Sequence, residues 1–119
     1  MVPKYLIEIH GHGAKSIADN QIEISSGSLA RNNVSTTFAS ILQSKLLKSE
    51  ELKGYLSIGD FNKVYFRGTK SATIIDERWT SLHIELPPSL KLNPNDSTLP
   101  LSGMDLTKCL IETINEVCI

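Results

Sequence analysis

The sequence predicts an α/β domain: a mixed β-sheet flanked by helices. Short apolar, β-rich stretches alternate with two segments whose apolar residues recur at helical spacing. No internal repeat or low-complexity tract interrupts this order, which argues against a bundle or a sandwich. At 119 residues the chain has the size of one domain, residues 1–119, and can bury a modest core without disulfides or metal staples.

The first predicted strand is Tyr5 to Ile9 (YLIEI), ended by Gly-His-Gly, and a second is Gln21 to Ser25 (QIEIS), before the turn at Ser26-Gly27. From Val34 to Leu47 apolar residues fall at Val34, Phe38, Ile41, Leu42 and Leu46, the stripe of an amphipathic helix, with Asn33 available as its cap. Four β-like pieces follow: Tyr55 to Ile58, Lys63 to Phe66, Ala72 to Ile75 and Ser81 to Leu86. The last should stop at Pro87-Pro88, since proline cannot donate to a ladder. Lys91 to Ser102 is turn-rich and reads as an exposed loop. Met104 to Val117 then resumes helical spacing through Leu106, Leu110, Ile111, Ile114 and Val117.

Composition narrows the function. Twelve basic residues against thirteen acidic ones leave no field to hold a polyanion, and the basic residues form no stripe, so nucleic acid is excluded as a partner. No apolar run approaches the roughly 20 residues needed to cross a bilayer, and no signal-peptide pattern is present, so a cytoplasmic protein without membrane association is expected. Cys109 and Cys118 have the spacing of neither a redox motif nor a zinc ribbon and read as reduced, half-buried thiols.

The chemistry-bearing residues gather at strand ends. Residues two apart on a strand share a face, so if Ile9 faces the core, His10 and His12 lie together on the opposite side, and His83 pairs with Glu85 in the same way. Imidazoles with a carboxylate form a ligand set that suits zinc, whereas strand-end histidines beside turn glycines also need no role at all. Two nucleotide motifs fail. A phosphate loop ending at Lys15 would need glycine where Ala14 and Ile9 stand, and the dinucleotide fingerprint would need a third glycine where Ser16 stands. A serine nucleophile elbow is missing as well.

The order "IEIHGHG", "IEISSG", a helix, "VYFRGTKSA" and "SLHIELPPSLK" resembles the C-terminal half of N-formylglutamate amidohydrolase-like proteins and, more distantly, of zinc carboxypeptidases. The resemblance spans most of residues 5 to 117 and implies part of the zinc carboxypeptidase-like fold. It implies metal-dependent hydrolysis of an amide bond in an N-acylated amino acid or small peptide, with zinc held by His10 and Glu85 as the general base acting on water. By the same resemblance His12 stands beside the metal or on the substrate side, and Glu23, Arg67 and His83 line the pocket, the guanidinium anchoring a substrate carboxylate.

One departure from the family pattern is plain. The family draws its first two zinc ligands from an H-x-x-E type motif on an earlier loop, and none of the three histidines here has glutamate three positions on. Three expectations follow: a fragment or separately produced half of a longer enzyme, completed by a partner chain or by self-association; a binding or assembly module that has lost the chemistry; or a different site built from His10, His12 and His83.

Overall fold

Along the two central strands of the sheet, Thr80 apart, apolar side chains occupy one parity and polar ones the other, and the fold is built on that division. The computed structural model describes residues 4–12, 18–90 and 101–118. Its strands are β1 (Tyr5–Gly11), β2 (Gln21–Ser25), β3 (Leu56–Ile58) and β4 (Thr80–Leu86), and its helices are α1 (Asn32–Leu46) and α2 (Leu101–Val117). The four strands form one mixed sheet in the order β1-β4-β2-β3. β4 runs parallel to β1 and antiparallel to β2, and β3 runs parallel to β2.

Because side chains alternate along a strand, Ile7, Ile22, Ile24, Leu82, Ile84 and Leu86 all fall on one side, where they join Phe38, Leu42 and Leu46 of α1 and Leu106 and Leu110 of α2 in the core. Each fully buried aliphatic or aromatic side chain contributes about 1.5–3 kcal/mol, so the helix-covered side carries the bulk of the stability. The other parity holds Glu8 and His10 of β1, Glu23 and Ser25 of β2, and Ser81, His83 and Glu85 of β4.

α1 follows a 3-10 turn, Leu29–Arg31, and its first residue is Asn32. The expected cap, Asn33, lies inside the helix, and the N-cap position is Arg31, with no side-chain cap bond. Asn32 instead ties two elements together, its Oδ1 accepting the Phe61 N–H at 2.7 Å. The buried stripe of α2 is Leu106, Cys109, Leu110 and Thr113. Ile111, one position on from Leu110 and so about 100° around the helix, is turned outward and 54% exposed. The two helices are joined at the surface by Lys45, whose ammonium lies 2.8 Å from Glu116 and 3.8 Å from Glu112.

β1 extends two residues past the expected end, and Tyr55 falls just outside β3. β4 stops at Leu86, where Pro87-Pro88 begins and a short 3-10 turn, Pro88–Leu90, follows. The expected loop at Lys91 to Ser102 lies outside the described residues up to 100, while Leu101 and Ser102 open α2. Lys63 to Phe66 and Ala72 to Ile75 are not strands but turns and irregular chain. Each contributes one buried apolar residue, Val64 and Ile74, while the N–H groups of Tyr65 and Phe66 go to a carboxylate rather than to a ladder. Among the described residues no helix is long and apolar enough to cross a membrane. Cys109 is buried, Cys118 is half-buried, and both are free thiols.

The chain passes close against α1 at Gly59, where a Cβ would sit 2.2 Å from the Ser35 carbonyl oxygen and 2.7 Å from its carbon. Backbone atoms cannot step aside as a side-chain tip can, so Gly59→Ala should destabilise the protein by about 1–3 kcal/mol, read as a lower urea midpoint at unchanged slope.

Candidate functional site

The polar parity of three neighbouring strands makes a grid. One row across the sheet is His10, Glu85, Glu23, and the next is Glu8, His83, Ser25. Three carboxylates and two imidazoles thus share a face that helices do not cover. Residues 60–79 cross it instead, without regular structure.

The carboxylates on this face divide by what occupies them. Glu23, 1% exposed, accepts the Tyr65 N–H at 2.9 and 3.0 Å, the Phe66 N–H at 2.8 Å and Gln21 Nε2 at 2.8 Å. A buried carboxylate is tolerable only with such donors. Glu8 accepts the hydroxyls of Ser71, at 3.1 Å, and Thr73. These bonds, the Thr73 hydroxyl first and the His10 ring next, hold the Glu8 carboxyl below the usual carboxylate range. Ser25 Oγ adds a 2.6 Å bond to the Arg67 carbonyl. Glu8, Glu23 and Ser25 therefore pin the crossing segment at three places.

Glu85, the central carboxylate, lines a cleft of about 420 Å³ together with His83 and the side chains from Tyr65 to Ser71. Its Oε1 lies 3.4 Å from His83 Nε2. Arg67 and Lys70, both exposed, stand on the wall of this cleft, the guanidinium lying 5.0 Å from the Phe61 ring centre. Gly68 completes the wall at φ +70°, a conformation that favours glycine, and a Cβ there would meet His83 at 3.3 Å. Burial pushes the His83 imidazole below its ordinary pKa, the neighbouring His10 adds to the effect, and Glu8 and Glu23 oppose it. The His10 and His83 rings are 4.9 Å apart. Among the described residues His83 Nδ1 has no hydrogen-bond partner, nor has His12 Nδ1.

His12 has a structural task. Counting on from Glu23 opposite Glu85, the antiparallel register sets Gln21 opposite Pro87, which has no N–H to give. The Gln21 carbonyl instead accepts His12 Nε2–H at 2.9 Å, while the His12 amide continues the β1 ladder to the Leu86 carbonyl at 2.8 Å. The imidazole, 3% exposed and 6.0 Å from the Phe66 ring, thus closes the sheet where a proline would leave it open.

His10 Nε2 is hydrogen-bonded to Glu8 at 3.1 Å, and His12 Nε2 to a carbonyl, so each offers only Nδ1 to an ion. Among the described residues no three His, Cys, Asp or Glu side chains form a metal-holding group. A catalytic zinc takes three protein ligands and an open position, and these residues do not fit it.

The structure brings His10, His83, Glu85 and Glu23 together on one face and puts Arg67 on the cleft wall; Glu23 sits behind that wall rather than lining the cleft. Glu8, Lys70, Ser71 and Thr73 were not anticipated. For Glu8 the signal was present, since it has the parity of His10 and pairs in register with His83. The chain matches no protein-family model, no curated protein and no solved structure.

Two outcomes are expected. His12→Phe keeps the ring against Phe66 but leaves the Gln21 carbonyl without its donor, and should cost about 1–2 kcal/mol in chemical denaturation. Because the folded His83 takes up its proton at lower pH than an unfolded histidine, the unfolded state binds more protons just below pH about 6.5. Stability should therefore fall as pH drops through that value, and His83→Gln should flatten the fall, as measured by urea midpoints at matched pH values.

Proposed function

We propose that the cleft of Glu85 and His83 is an acid–base site for a small amide, of the amidohydrolase-like kind, taking an N-acylated amino acid or short peptide. The observation that supports it is the Glu85–His83 pair beside a cleft whose wall carries Arg67 and Lys70. A carboxylate near neutrality withdraws a proton from an attacking water and returns it to the leaving amine. Glu85, 6% exposed, is shielded from bulk water, which strengthens such transfers. Arg67 offers a planar fork of donors for a substrate carboxylate. Glu23 and Glu8 hold the wall that carries Arg67.

Zinc belongs to this reading only with ligands from outside the described residues, supplied by a partner chain or a second copy, His10 then being one contribution from this chain. The lack of a three-donor group among the described residues favours a second reading, in which the cleft binds the same class of carboxylate ligand without turning it over.

Hydrolysis assays on N-acyl amino acids, with metal content from elemental mass spectrometry, separate the two. In the first reading Glu85→Gln lowers turnover by about a hundredfold or more while binding survives. In the second, no turnover exists to lose, and calorimetry detects binding that Arg67→Ala weakens. Neither turnover nor binding would reject both.

A further inference from the structure

β1 is an edge strand, and its free side is built for pairing. Lys4 O and the His12 N–H both point to β4. Along a strand the N–H and C=O of one residue share a side, and sides alternate, so Tyr5, Ile7, Ile9 and Gly11 direct theirs outward. Among the described residues no strand lies beyond β1. Natural edges are blunted by shortness, by proline or by bulges. The other edge, β3, is only three residues long, whereas β1 is seven and contains no proline. Apolar surface lies beside it: Ile9 is 52% exposed, Ile111 of α2 is 54% exposed, and a groove of about 380 Å³ runs between Ile9, Leu86, Leu106 and Ile111.

We infer that this edge pairs antiparallel with β1 of a second copy, about a dyad at Ile9. Three centres satisfy the outward donors and acceptors while pairing at least five residues of the strand. A dyad at Glu8 sets two carboxylates directly opposite each other, which is destabilising. A dyad at Ile7 sets Glu8 against Leu6. A dyad at Ile9 pairs Ile9 with itself, Ile7 with the partner's Gly11, and Glu8 with the partner's His10, a donor–acceptor match that occurs on both sides of the axis. Glu8 and His10 already show this affinity within one chain, 3.1 Å apart. The dyad stands normal to the sheet, so both helix layers stay on one side and the exposed Ile111 of each α2 flanks the joined strands. The sheet becomes eight-stranded, with only the short β3 edges left outside.

Sedimentation equilibrium across a wide concentration range tests this, since a closed dimer gives twice the chain mass and no larger species. His10→Glu opposes a carboxylate to the partner's Glu8 and should weaken the dimer about tenfold or more, whereas His10→Lys should leave it intact or tighter. His10 also meets Glu8 of its own chain, so each variant is compared at a temperature and pH where its own unfolding midpoint shows it fully folded, and the opposite effects of His10→Glu and His10→Lys on the dimer are the readout. Ile9→Asp should give monomer. A monomer at every concentration would overturn the inference, as would a dimer indifferent to Ile9→Asp, or one that His10→Glu and His10→Lys weaken alike.

Discussion

The whole polar side of the molecule depends on the Glu23 carboxylate. A charge buried to 1% exposure on a central strand would be prohibitive alone, and it is tolerated because two backbone N–H groups and an amide converge on it. The dependence runs both ways. Residues 60–79 have no ladder of their own, so without that acceptor the N–H groups of Tyr65 and Phe66 would be orphaned, and the wall that carries Arg67 would lose its footing. A cleft exists beside Glu85 because a neighbouring glutamate holds the chain that encloses it.

The sheet therefore works as two surfaces with different physics. Its helix side is held by apolar burial, non-directional and tolerant of exchange among similar shapes. Its other side is held by directed bonds from Glu8, Glu23 and Ser25, in which each partner is specific. Chemistry can be placed on the second surface because stability rests mainly on the first.

Much of this was legible from residue order. Alternation in "YLIEIHG", "QIEIS" and "TSLHIEL" fixes both surfaces, and helical spacing located both helices. What misled was short apolar runs: Lys63 to Phe66 and Ala72 to Ile75 read as strands, yet each buries a single anchor, Val64 or Ile74, and gives its donors elsewhere. Local pattern carries no information on a distant carboxylate that competes for backbone N–H groups. For the same reason His12 read as a ligand candidate; its carbonyl partner follows only once the register sets Gln21 opposite Pro87. The grouping of His10, His83, Glu85 and Glu23 needed the strand order, which spacing along one chain does not contain.

That strand order also governs when the site can come into being. β4 lies between β1 and β2, and its pairing with β1 joins Tyr5 to Thr80 across about two thirds of the chain. Contacts so distant in sequence form late, after the closure entropy of the intervening loop has been met. Until residues 80–86 have been synthesised and inserted, β1 and β2 are two separate ribbons, and neither His10 nor Glu23 has Glu85 between them. The same insertion completes the sheet and assembles the cleft, so a nascent chain passes from no site to a complete one in a single late step.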